Sequence, residues 1–173
     1  SEVNDYNYLM KINELPKKIS VFPLSNFIMF PGTTVPLNIF EPRYLQMVND
    51  SMKNNRMIGM IQPKKSGMLK KPDLYEVGCM GKITSFNETE DGRILIILNG
   101  VCRFKIISEI KTDKLYRECN VEYTDFSDDM SQKSNEVNFN DLSIIMENMK
   151  KFFKKQGYIV NLKDLEKKDL NQT

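Results

Sequence analysis

Between residues 80 and 110 three apolar runs are separated by two dipeptides, Asp91-Gly92 and Asn99-Gly100, of the kind that favours two-residue hairpin turns. This pattern reads as a β-meander and commits the middle of the chain to antiparallel sheet. Residues 94–98 are apolar at every position, as in a strand covered on both faces. Cys102, Phe104 and Ile106 alternate with Arg103 and Lys105, which leaves one face wet. Residues 116–123 repeat the alternation, with Cys119, Val121 and Tyr123 inward and Glu118, Asn120 and Glu122 outward.

Upstream, residues 19–24 and 34–40 read as two strands joined through a Pro31-Gly32 turn. At Pro42 the period changes. Proline suits the first helical position, Glu41 before it favours the positive helix end, and Tyr44, Leu45, Val48 and Met52 recur at helical spacing. One helix running to about residue 54 is expected, then a short buried strand at 57–61 and a loop at 62–75 rich in Pro, Gly and Lys. The fold class is α+β, mainly β: six or seven strands in a closed or partly closed barrel, with one inserted helix.

Residues 1–17 form a polar N-terminal segment, 18–124 the β-domain, and 125–137 an acidic, aperiodic stretch that reads as a linker. Residues 138–173 read as a helical extension. Leu142, Ile145, Met146, Met149, Phe152 and Phe153 make its stripe, with lysines in the last turns and Gly157 as a C-cap. That stripe must pack on the barrel, on further helices or on a partner, and Leu142, Ile145, Met149 and Phe152 are the candidate docking residues. The chain stops mid-architecture, so a truncation is expected.

Composition closes off several chemistries. The chain has no histidine, which excludes Ser-His and Cys-His nucleophilic pairs and His-ligated metals within it. It carries neither a phosphate-binding P-loop nor a G-x-G-x-x-G fingerprint, so no nucleotide and no other cofactor is expected. Cys79, Cys102 and Cys119 lie far apart in the chain and read as reduced core thiols rather than a disulfide frame or a metal site. The carboxylate pairs Glu90-Asp91 and Asp128-Asp129 read as solvated turn and linker residues. With a net charge of +2 the paired lysines read as solvated faces. No apolar run is long enough to span a bilayer and the polar start lacks a secretory pattern, so a soluble, cytoplasmic protein with no membrane contact is expected.

Several separated motifs, in order, carry a family resemblance. Phe22-Pro23-Leu24, Phe30-Pro31-Gly32, Pro36-Leu37 and the run Ile39-Phe40-Glu41-Pro42-Arg43-Tyr44 are followed by Glu76-Val77-Gly78, Asp91-Gly92-Arg93 and Gly100-x-x-Arg103-Phe104. Together they resemble the N-terminal, substrate-recognition domain of Lon-type ATP-dependent proteases, over about residues 18–124 with helical remnants to about 165. The resemblance implies a PUA-like barrel with a helical appendage, and a task of engaging unfolded or tagged polypeptide. The Phe-Glu-Pro-Arg-Tyr form of the helix start resembles the short stand-alone members. The ATPase and serine-lysine protease modules of full-length Lon have no counterpart here, so its proteolytic activity does not carry over.

The expectation is therefore a module that is not an enzyme and that binds polypeptide segments or a partner protein in an apolar groove near the first strands and first helix. Met29, Phe30, Phe40, Glu41, Arg43 and Tyr44 are its candidate residues. Glu41 and Arg43 could equally bridge each other at the helix start. RNA binding through the four lysines between Lys64 and Lys71, and adaptor docking through the C-terminal stripe, are the alternatives.

Overall fold

The long strand at the centre of the sheet is where sequence and structure first part company. A computed structural model describes residues 11–64, 71–131, 144 and 146–148. In it β1 (Lys18–Pro23), β2 (Thr34–Ile39), α1 (Pro42–Met52), β3 (Met57–Ile61), β4 (Val77–Glu88), β5 (Ile94–Ile110) and β6 (Arg117–Glu122) follow in order. Asp91-Gly92 does turn the chain between β4 and β5, with Gly92 at φ +83° as a tight hairpin needs. Asn99-Gly100 does not turn. It lies inside the 17-residue β5, where Asn99 pairs with Thr34 and Lys82, and Gly100 with Gly81.

The reason for the glycine is proximity. The Pro31-Gly32 turn folds onto β5 so that Gly32 donates its N–H to the Gly100 carbonyl at 2.8 Å, and Gly100 donates to Thr33 O at 2.8 Å. A Cβ at Gly100 would strike the carbonyl oxygen of Phe30. The dipeptide thus serves close backbone approach, the other use of glycine.

Among the described residues the sheet order is β2-β5-β4-β3-β1-β6, and β5 also pairs with β6, so the strands β5-β4-β3-β1-β6 close on themselves while β2 is added at one side. β1 and β3 run parallel and the other pairings are antiparallel. Register shifts at Met80/Gly81, Ile83/Ser85 and Ile106/Ser108 interrupt the ladders of β4 and β5. Such bulges bend and twist a strand, which lets one β5 serve both the β2 side and the β6 side.

Alternate side chains of the same strands enter two cores. Phe22, Leu37, Ile58, Ile83 and Ile96 pack with Tyr44, Met47 and Val48 of α1. Val21, Met80, Cys102, Phe104 and Cys119 pack in the other. This is why β3 is buried at every position, and residues 94–98 of β5 are likewise all buried, as the unbroken apolar runs imply. Helix α1 begins at Pro42 as expected, and its apolar face also uses Met47.

Two other expectations change. Glu118, expected outward, is buried, because the loop before β6 brings Lys114 back over it at 3.2 Å. The stretch expected to be a linker forms, over Thr124–Ser131, 3-10 turns with Phe126 and Met130 packed on the second core. Its remainder, and Leu142, Ile145, Met149 and Phe152, lie outside the described residues. Nearby, Ile144 is an exposed helical residue and Met146 a buried one.

Asn38 on β2 is fully buried, and among the described residues neither amide atom has a hydrogen-bond partner. An unpaired buried amide costs about 1–3 kcal/mol. Asn38→Leu, similar in shape and apolar, is expected to raise stability by about 1 kcal/mol or more in urea unfolding.

Candidate binding groove

After β1 a turn with Asn26 in the left-handed region (φ 58°) sends residues 27–30 across the mouth of the β3–β4 pair. Burial then alternates: Phe27 is half-buried, Ile28 exposed, Met29 buried and Phe30 exposed. The Met29 side chain packs into the first core. Gln62 Nε2 donates to Phe27 O at 3.1 Å, and Phe30 donates its N–H to Thr33 Oγ1 at 3.2 Å, so both ends of the segment are tied. The opposite wall is built by residues 62–64 and 75–79. There Tyr75 donates its N–H to Gln62 O at 3.0 Å and Lys64 to Asp73 O at 2.7 Å.

Between the walls lies an open cavity of about 630 Å³, floored by Met29, Met60 and Gly78. Four large apolar side chains on it are solvent-exposed: Ile28 by 64%, Phe30 by 56%, Tyr75 by 48% and Val77 by 46%. Exposed apolar residues scattered singly mean little, but several around one concavity mark a binding surface. A second, more polar cavity of about 440 Å³ sits between α1 and the loop before β6, where Tyr116 donates to Asp50 Oδ2 at 2.7 Å.

Arg103 closes one end of the groove and is itself held. Its Nε and Nη2 donate to the Asp129 carboxylate at 2.9 and 2.8 Å, its main-chain N–H adds a third bond at 3.0 Å, and its guanidinium lies 4.8 Å from the Phe126 ring centre. Asp129, expected to be solvated, is therefore a buried anchor whose carboxyl is held below the usual range, first by the Arg103 hydrogen bond. A depressed folded-state pKa stabilises the fold above the unfolded value of about 4, and that stability is lost as pH falls through the depressed value. Asp129→Asn is expected to cost about 1–2 kcal/mol at neutral pH, the exposure of Arg103 keeping it modest, and to flatten the acid limb of a stability-versus-pH curve.

The three thiols are buried and free. Burial pushes Cys79 up to about 12 and Cys102 and Cys119 up to about 11, so each stays a protonated, inert core group at neutral pH. Among the described residues no cluster of three or more Cys, Asp or Glu could hold a metal, and no helix is long and apolar enough to cross a membrane.

Of the six residues expected in a groove, Met29 and Phe30 line this one. Phe40 is exposed but lies elsewhere, at the start of α1. Glu41 and Arg43 form a surface ion pair at 2.8 Å, with Arg43 stacked 4.6 Å over Tyr44. Tyr44 is a core residue, its ring 4.1 Å from that of Phe22 at an interplanar angle of 9°. Its hydroxyl pKa is raised, chiefly by burial. Ile28, Tyr75 and Val77 were not foreseen. Tyr75 ends, and Val77 follows, a stretch that reads as loop, and nothing in the run 27–30 sets Ile28 apart from its apolar neighbours. Of the lysine loop, Lys64 lines the groove, Lys71 pairs with Glu109 at 3.4 Å, and residues 65–70 lie outside the described residues.

A mainly β barrel with one inserted helix and an open apolar groove defines the class of this protein. Residues 18–170 match the model of the ATP-dependent protease La (LON) substrate-binding domain, and the chain belongs to that family. Among its relatives, the Lon protease of Desulfosudis oleivorans is 28% identical over 116 residues, 65% of this chain and 14% of that protein. The Lon protease of Flavobacterium johnsoniae is 23% identical over 143 residues, 82% of this chain and 17% of that one. The chain thus spans about a sixth or less of these relatives. The Lon N-terminal domain protein from Xanthomonas campestris has a similar structure, with a TM-score of 0.51 and 26% identity over 62% of this chain and 60% of that one.

Proposed function

We propose that this chain is a non-catalytic recognition module that holds apolar polypeptide segments in the groove between residues 27–30 and 75–79. The observation that carries the reading is the convergence of Ile28, Phe30, Tyr75 and Val77, all exposed, on one concave surface, in a family defined by substrate binding. A cavity of about 630 Å³ is large enough for two or three apolar side chains. The candidate residues are Ile28, Met29, Phe30, Tyr75 and Val77. Phe40, with the Glu41–Arg43 pair beside it, stands as a separate exposed point.

The chain contains no tryptophan, so a tryptophan-bearing unfolded polypeptide reports its own environment on binding. A saturable blue shift that single-stranded RNA does not displace is the expected result. No shift at high protein concentration would count against peptide holding. A shift that RNA abolishes and that falls steeply with salt would move RNA binding ahead of it.

A further inference from the structure

We propose that the groove receives its ligand as an added β-strand, paired along one edge of the main chain at residues 27–30. This inference rests on the groove reading above and narrows its ligand class to extended polypeptide, as opposed to helices or folded surfaces.

The segment at 27–30 has the burial period of a strand, yet it belongs to no sheet. No hydrogen bond joins the N–H or C=O of Ile28 or Met29 to a described residue. The segment is nevertheless fixed, by Gln62 at Phe27 O, by Thr33 at Phe30, and by the Met29 side chain seated in the core. A held main chain whose burial alternates as a strand's does, and whose donors and acceptors at Ile28 and Met29 bond to no described residue, is a template for strand addition. Exposed Ile28 and Phe30 on the same segment would contact alternate side chains of the incoming strand.

The charges select the same ligand. Among the described residues the charged ones on the groove are Lys64, Glu76 and Arg103, and Arg103 is already neutralised by Asp129. Such a balanced lining matches a neutral peptide main chain, and among the described residues it offers no row of cations for a phosphate backbone.

The probe is a short synthetic peptide alternating valine and serine around one central tryptophan, followed by its emission on titration with the wild-type chain. Variants carry a methyl group on one backbone nitrogen at a time. Strand addition predicts a weakening of roughly fivefold or more at alternate positions, the value of one net hydrogen bond, and no change at the positions between them. If the parent peptide binds but no methyl group matters, or the losses follow a helical period, strand addition is wrong and the groove stands. If the parent peptide does not bind at any attainable concentration, the groove reading falls and the inference with it.

Discussion

Replacing Ile28 and Tyr75 together with serine is expected to weaken binding of an apolar peptide roughly a hundredfold while leaving the barrel intact. Each side chain is about half exposed on the groove and would be covered by a bound segment. Burying a large apolar side chain is worth about 1.5–3 kcal/mol, so two of them, each part-covered already, account for about two powers of ten in affinity. Stability should change by no more than about 0.5 kcal/mol, because surface substitutions away from special backbone positions rarely do more. Phe40→Ser is the matched control: it removes an exposed aromatic from outside the groove and should leave affinity unchanged. Loss of binding in the control but not in the double variant would move the site to the start of α1.

Gly100→Ala carries the largest expected effect on folding, a loss of roughly 3 kcal/mol or more, read as a fall in the urea midpoint. The added methyl would meet the Phe30 carbonyl oxygen, with Phe30 C at 2.9 Å and Pro31 Cα at 3.3 Å behind it. All three are backbone atoms, held by the reciprocal bonds between the Pro31-Gly32 turn and β5. None can rotate away as a side chain would. Gly81→Ala is the contrast, since its new methyl would meet the flexible Met29 side chain at 3.3 Å. Comparable losses in both variants would mean that strand conformation, not close approach, requires glycine at position 100. The same substitution should also disturb the groove, because Phe30 is both the struck residue and one of its walls.

Much of this molecule can be read along one dimension. Period-two and unbroken apolar runs mark β3 and β5, the helix-start signal at Pro42 marks α1, and Asp91-Gly92 marks the hairpin, each with a cause that lies within a few residues. Gly100 was misread because a glycine after asparagine looks the same whether it turns the chain or admits another backbone. Glu118 and Asp129 were misread for a related reason. A carboxylate reads as solvated until the fold brings a cation over it, Lys114 four residues before Glu118 or the distant Arg103 over Asp129.

The candidate groove shows the division most clearly. Local sequence could mark Met29 and Phe30 as apolar and near a turn, but Tyr75 and Val77 lie some forty-five residues away and meet them because β1 runs parallel to β3, with Gln62 reaching across to Phe27. By itself the sequence determined most of the strands, the helix, the absence of histidine and the family, since these depend on residue type and short spacing. Tertiary structure alone decided that Ile28, Phe30, Tyr75 and Val77 stay exposed around one groove. Burial is a property of everything packed against a side chain, and for residues 27–30 that surrounding is supplied by strands from elsewhere in the chain.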